Sequence, residues 1–394
     1  MKVTDEKEYY RITPLNDNFR VWKDNIYVCA SNYNGLFQVN MVNGTLEFVT
    51  KFIKQDNLAM DLFFMEISEN ILIFTPIFAN EIALYDLDTH ELYEIPLDNI
   101  YMKGITNTSN FAIYGDKIWI FPFKSRYIVE LDYQNRQVGA IIDIGNIYHD
   151  FFNMDYSVFG VNGSYVCGDA ILLVCWEKPF IIEFYPENKT VKFVKVQGCD
   201  SGFCALGGKG DKLYALNDDG HLYVWDIKSR NIIKRINIGE ETERQNHKFY
   251  RNIYCYDKKV YLFPNGEITD MKTVDLELET VDTEIPQCLQ DKNMDLYFGY
   301  TNENQLYLYN NENDIICVDL KKQCVDWEVT VKYDTEELKK IIVDDKSKMG
   351  RGLIWESNAF LLQDFLQSIT LYEGKESDNT VSRGNRIYHA MMHE

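Results

Sequence analysis

Two stretches of the 394-residue chain hold the side chains best suited to acid–base chemistry. GNIYHDFFNMDYSVF, residues 145–159, carries His149, Asp150, Asp155 and Tyr156. IGEETERQNHKFYRN, residues 238–252, carries Glu240, Glu241, Arg244, His247 and Arg251. An imidazole titrates near neutral pH, so His149 with a carboxylate such as Asp150 suits a general base. His247 or Arg244 would then stabilise developing negative charge, as a lyase or hydrolase acting on a sugar or peptide requires. Against this, adjacent residues point opposite ways on a strand, and histidines in loops mostly face water.

A second chemistry is cation beside aromatic ring. FPFKSR, residues 121–126, supplies Lys124 and Arg126, and CWEKPF, residues 175–180, supplies Trp176 and Lys178. With Tyr33 and Arg251 these suit an anionic or flat ligand, or a partner surface of that character, through charge pairing and stacking.

Other chemistries lack their residues. The six histidines (His90, His149, His221, His247, His389 and His393) form no H-x-H, H-x-x-x-H or H-E-x-x-H site outside the terminal pair at i and i+4. Nine cysteines include no C-x-x-C pair, and Cys29, Cys175, Cys255 and Cys317 lie in apolar runs where a thiol behaves as a small hydrophobe. GGKGDK, residues 207–212, lacks the frame and following helix of a phosphate-cradling loop and reads as a turn between strands. No G-x-S-x-G occurs. No metal and no cofactor is expected.

The formal charge is −21, from 40 Lys and Arg against 61 Asp and Glu. Such a surface repels phosphate backbones and anionic lipid heads, so neither nucleic acid nor membrane is expected as a partner. It suits solubility in a crowded cytoplasm, with a basic partner face as the alternative. The opening MKVTDEKEYY holds no apolar stretch of the kind a signal peptide needs, and no run of about 18 apolar residues occurs. A reducing cytoplasm is the expected compartment. Heavy use of Asn, Lys, Ile and Tyr suits an AT-rich bacterial genome.

What would position these side chains is a repeat. GDKLYALNDDGHLYVWDIKSRNIIKRINI, residues 210–238, reads as strands separated by turns, and the same phrase begins at Asp24, Glu69, Gly115, Gly168, Asp257 and Glu303. Aligned on the first apolar residue after a polar turn, the anchors are Ile26, Ile71, Ile118, Ile171, Leu213, Val260 and Leu306, spaced 42 to 53 residues apart. A further strand precedes the anchor in copies two to seven. Asp86, Asp132, Asp226, Asp275 and Asp319 end the third strand in five copies, where a carboxylate can accept from backbone N–H groups and close the turn. Asn40 and Tyr185 hold that place in the first and fourth.

A period in the forties built of strands and turns resembles the seven-bladed β-propeller superfamily, an all-β fold in which each small sheet buries its faces against its neighbours. HLYVWDIKSRNIIKRI, residues 221–236, resembles the third and fourth strands of a WD40 blade, with Trp225 and Asp226 as the dipeptide. Tyr85, Leu131 and Val318 replace the Trp elsewhere, and the Gly-His that opens a WD40 unit is missing. The resemblance therefore implies a shape and no particular functional family. In that shape the loops holding Tyr33, Lys124, Arg126, Trp176 and Lys178 share one face with the inter-blade loops of His149 and His247. EYYRITPL, residues 8–15, is expected to help close the ring against the last blade.

The ring is expected over residues 1–333 and a helical extension over 334–394. DTEELKKIIVDDKSK has a helix-start pattern, and Leu362, Phe365, Leu366 and Ile369 fall at i, i+3, i+4 and i+7. The leading reading is a non-catalytic cytoplasmic scaffold that recognises a protein or peptide partner through its loop face. Beside it stand the lyase or hydrolase at the channel mouth and a homo-oligomer joined through the C-terminal helices. Oligomeric state is left open.

Overall fold

The computed structural model describes residues 14–332 and 334, apart from 31–34, 53–61, 77–80, 98–107, 123–125, 153–159, 177, 218, 240–249, 265–270, 283–286, 290–295 and 311–313. The helical extension predicted for 334–394 and most of EYYRITPL thus lie outside the described residues. Residues 12–333 make one compact unit.

Within it seven four-stranded antiparallel sheets follow one another in simple sequential order. Blade 1 is β1 (Pro14–Trp22), β2 (Asn25–Ala30), β3 (Gly35–Asn40) and β4 (Leu46–Lys51); blade 2 is β5 (Leu62–Ser68), β6 (Ile71–Pro76), β7 (Glu81–Asp86) and β8 (Leu92–Pro96). Blade 3 is β9 (Thr108–Tyr114), β10 (Lys117–Pro122), β11 (Tyr127–Asp132) and β12 (Gln137–Asp143). Blade 4 is β13 (Val161–Cys167), β14 (Ala170–Cys175), β15 (Phe180–Tyr185) and β16 (Thr190–Lys195). Blade 5 is β17 (Phe203–Lys209), β18 (Lys212–Asn217), β19 (His221–Asp226) and β20 (Asn231–Asn237). Blade 6 is β21 (Tyr250–Tyr256), β22 (Lys259–Pro264), β23 (Lys272–Asp275) and β24 (Val281–Asp282); blade 7 is β25 (Leu296–Asn302), β26 (Gln305–Asn310), β27 (Asp314–Asp319) and β28 (Cys324–Thr330). β1 packs against both β5 and β25, and β13 against both β9 and β17, so first strands meet first strands and the ring closes.

The anchors explain why the phrase repeats. Ile26, Ile118, Ile171, Leu213, Val260 and Leu306 are fully buried, each the second residue of its blade's second strand. Burial of such a side chain contributes roughly 1.5–3 kcal/mol. In blade 2 that place belongs to Leu72 and not to Ile71. Leu72 pairs with Tyr85 as Ile118 pairs with Leu131, whereas Ile71 pairs with Asp86 and is half-buried. The first apolar residue after the turn misleads there because β6 itself opens on an isoleucine.

The core lies between blades. One cluster joins Trp119 and Phe121 of blade 3 to Ile171 and Phe184 of blade 4, and another joins Ile73 and Leu84 to Ile118 and Leu131. Further clusters bind blade 4 to 5, 5 to 6 and 6 to 7. GGKGDK falls at the end of β17 and the turn after it, as expected. Gly207 and Gly208 let neighbours in: a Cβ on Gly208 would lie 2.2 Å from the Tyr165 ring.

One face of the ring is made of short turns. Each first-to-second-strand hairpin has a two-residue loop whose first residue is left-handed: Lys23, Glu69, Gly115, Gly168, Gly210, Asp257 and Glu303. In the third-to-fourth turns the strand-ending carboxylates act as expected. Asp86 accepts from the N–H of Asp88 and Thr89, Asp275 from Glu277 and Leu278, and Asp319 from Lys321 and Lys322. Asp132 and Asp226 each accept from the N–H three residues on, and Asn40 does the same work in blade 1 for Val42 and Asn43. Hydrogen bonds from Asn135 and Lys117 hold the Asp132 carboxyl down at about 2, and those from Lys322 hold Asp319 at about 2.

Closure rests on a seam that, among the described residues, no shared sheet spans. Arg20 of β1, 4% exposed, reaches Glu66 of blade 2 at 3.2 Å through both Nε and Nη2, and its guanidinium lies 4.6 Å over the Tyr300 ring of blade 7. The Tyr300 hydroxyl accepts from the Val21 N–H at 2.8 Å. At the outer edge Thr45 and Lys332 form a parallel bridge, with Lys332 N–H donating to Gly44 O at 2.7 Å.

Two outcomes follow from this geometry. Arg20→Ala strips Glu66 of a buried partner and is expected to cost on the order of 3 kcal/mol in urea unfolding, while Lys228→Ala, which breaks an exposed pair with Asp211, costs far less. Equal losses would contradict a seam built on Arg20. For the turns, the folded carboxyls of Asp132 and Asp319 sit below their ordinary value of 3.8. Their charge therefore stabilises the fold above about pH 4, and that contribution is lost as the pH falls through about 2. Asn at both positions keeps the acceptor and removes the titration, so the fall of Tm between pH 4 and 2 becomes shallower than in the wild type; parallel curves would overturn the assignment.

Candidate functional site

The other face carries the second-to-third-strand loops and the connections from one blade to the next. Its described residues concentrate where blades 3, 4 and 5 meet, and the largest feature there is a helix, α1 (Gly145–Phe152), between β12 and β13. Residues 144–159 read as a loop from sequence; their first half is helical. Ile144, Ile147, Tyr148 and Phe151 fall at i, i+3, i+4 and i+7, the spacing of one apolar helix face. That signal was available in the sequence, masked by the period-two pattern around it.

Asp143 and Arg126 set the start of α1. The Asp143 carboxylate accepts from the Gly145 N–H at 2.8 Å and takes both Nε and Nη2 of Arg126 at 2.6 Å. The guanidinium lies flat against Gly145, where a Cβ would come within 2.6 Å of its carbon. Arg126 therefore carries a bidentate ion pair that fixes the helix entrance, in addition to standing on the face where ligand contact was expected of it.

Packing of α1 leaves one aromatic ring outside. Tyr148 is buried, 6.1 Å from Phe193. Phe151 is 46% exposed and rests on Phe180 and Phe193, each with ring centroids 5.6 Å away. Phe180 follows the blade 4 loop that holds the half-buried Trp176 and the exposed Lys178, and its N–H donates to Lys178 O. Trp176 N–H donates to Gly160 O, tying that loop to the strand after α1. Phe151, Phe180, Trp176 and Lys178 thus share one corner, and sequence reasoning found the last two.

His149 and Asp150 are the fifth and sixth residues of α1, and Asp150 is placed by its backbone alone. His149 is exposed. His247, Arg244, Tyr33 and Lys124 lie outside the described residues; Arg251 is placed by its backbone as the second residue of β21. In blade 5 the acid of the loop between β18 and β19 is engaged structurally: Ser201 Oγ donates to Asp219 at 2.9 Å, and Asn217 donates to Ser201 Oγ at 2.9 Å. Blade 7 repeats the device with Asn310 and Asp314, which exchange hydrogen bonds across its loop.

Among the described residues no group of three or more His, Cys, Asp or Glu side chains is placed to hold a metal ion, and no helix is long and apolar enough to cross a membrane. The nine cysteines are all free thiols. Burial pushes Cys29 and Cys317 up to about 12, which keeps both protonated at neutral pH.

No protein-family model matches the chain, and no curated protein matches it in sequence. Among solved structures it is similar to the computationally designed Ika8 protein, with a TM-score of 0.52 at 11% identity over 80% of this chain and 86% of that one. Hsv2 of Kluyveromyces lactis, with its complete loop 6CD, gives 0.48 at 9% identity over 78% and 96%, and KlHsv2 with that loop replaced by a Gly-Ser linker gives 0.48 at 10% over 80% and 97%. Identities this low speak to fold alone. By its strand order and ring closure, the chain is a seven-bladed β-propeller.

Proposed function

We propose that the propeller is a non-catalytic cytoplasmic binding module, and that it takes a protein or peptide partner on its loop face with Phe151 as the anchor. The observation that carries this reading is the exposed Phe151 ring held from behind by Phe180 and Phe193. An aromatic side chain already braced on a rigid sheet loses little freedom on binding and offers a large apolar surface. Lys178, two residues before Phe180, supplies an exposed cation on the adjoining loop, so the partner segment is expected to pair an apolar side chain with a carboxylate. Lys124, Tyr33 and Arg251 belong to the same proposal on sequence grounds. Arg126 enters it through α1, whose entrance it fixes. The Leu362, Phe365, Leu366 and Ile369 stripe is kept with it as the mark of a helical extension over 334–394.

Selection of a displayed random-peptide library against the full chain tests the reading. The expected consensus holds an apolar residue and an acid, binds wild type, and binds Phe151→Ser and Trp176→Ala at least about tenfold more weakly, roughly 1.4 kcal/mol each. Lys212→Glu, on the turn face, leaves binding unchanged. Peptides that bind wild type and Phe151→Ser alike would sink the proposal, provided both proteins melt at the same temperature.

A further inference from the structure

On the turn face, far along the chain from the residues singled out above, blades 6 and 7 part to leave a cleft of about 710 Å³. Its floor and walls include Tyr254, Tyr256 and Tyr261 of blade 6, with Leu320 of blade 7. Four lysines line it, Lys209, Lys258, Lys259 and Lys321, against three acids, Asp257, Asp275 and Glu303. A net positive lining is a local reversal in a chain of charge −21. The volume lies within the range of small-molecule sites.

The walls are fixed by bonds that leave part of this chemistry unused. Tyr254 donates its hydroxyl proton to Glu303 O, tying blade 6 to the blade 7 turn. Lys209 Nζ donates to Asp257 O, tying blade 5 to blade 6. Lys258 pairs with Glu277 at 2.7 Å. Tyr261 is buried, as is Leu320. Lys259 and Lys321 are exposed at the rim, and among the described residues neither ammonium makes a hydrogen bond or ion pair, the charge of Lys259 being felt by Asp275 without direct contact. The hydroxyl of the half-buried Tyr256 likewise makes no hydrogen bond among them.

We propose that this cleft binds a small aromatic anion, its ring against Tyr256 and its charge between Lys259 and Lys321. A ring alone would forgo two ammonium groups, and an inorganic anion alone would leave the tyrosine wall in water; a ligand with both parts uses both. The site lies on the opposite face from Phe151 and does not rest on the peptide-binding reading.

Calorimetric titration of the full chain with phenyl phosphate, beside inorganic phosphate, decides it. Phenyl phosphate is expected to bind saturably and at least about tenfold more tightly than inorganic phosphate, and to weaken as salt is raised. Lys259→Glu with Lys321→Glu is expected to weaken it at least tenfold, while Tyr256→Leu narrows the gap between the two anions. Lys195→Glu, on blade 4, serves as the charge control and leaves binding unchanged. The proposal falls if wild type shows no saturable binding, if the double variant binds as wild type does, or if Lys195→Glu weakens binding equally. Matching melting temperatures among the proteins separate loss of the site from loss of the fold.

Discussion

The structure depends on closing a ring whose first and last sheets share no strand. Each of the seven sheets is built from one continuous stretch, β1 to β4 in the first blade and β25 to β28 in the last. Among the described residues no ladder of backbone hydrogen bonds crosses from blade 7 to blade 1, apart from the bridge of Thr45 and Lys332. Closure falls to side chains at the inner end. Phe19 sits edge-on to Tyr300 at 5.5 Å and to Tyr309 at 6.1 Å, and it can do so because Gly299 has no Cβ, which would lie 2.3 Å from its ring. Arg20 then links blades 7, 1 and 2 at once. Its place is inside the seam, where removal of one charge leaves the other desolvated.

The remaining junctions repeat a milder scheme. Where the third-to-fourth turn ends, a left-handed residue aims its side chain back at the preceding blade. Arg136 of blade 3 lies 3.3 Å over the Tyr93 ring, Lys189 of blade 4 pairs with Glu130 at 3.1 Å, and Arg230 of blade 5 pairs with Glu183 at 2.7 Å. In the two ion pairs the basic side chain is about half exposed and its carboxylate largely buried, so each contact sets the register of neighbouring blades. The apolar clusters between blades supply the cohesion. This division of labour commits the turn face to structure through most of its circumference and leaves the loop face to vary.

Much of the architecture was legible because the sequence repeats what each blade must repeat: an anchor buried against the next sheet and an acceptor that closes a turn. Departures from legibility have local causes. β1 escaped because PLNDNFRVW interleaves polar residues and carries a register shift between Pro14 and Phe19, which breaks the alternation a strand should show. Leu72 was displaced by an isoleucine one residue earlier. α1 was hidden because a helical spacing eight residues long is easily lost among strands. At the candidate sites the limits are different in kind. Trp176 and Lys178 could be read from their loop, but Phe151 gains meaning only from Phe180 and Phe193, which lie 29 and 42 residues away. Arg126 was legible as a cation; its partner, 17 residues on, was not.

The turn-face cleft shows the same limit more sharply, since its lysines at 209, 258, 259 and 321 have no common motif and meet only because the ring sets blade 6 beside its neighbours. Elsewhere on the ring lysines are drawn into carboxylates: Lys117 to Asp132, Lys189 to Glu130, Lys228 to Asp211, Lys234 to Glu279 and Lys322 to Asp319. With 61 acids against 40 basic residues, partners are plentiful, and a lysine without one needs a geometric reason. At Lys259 and Lys321 the reason is the gap itself. The meeting of blades 5, 6 and 7 on the turn face thus fixes where two cations face open space beside a tyrosine.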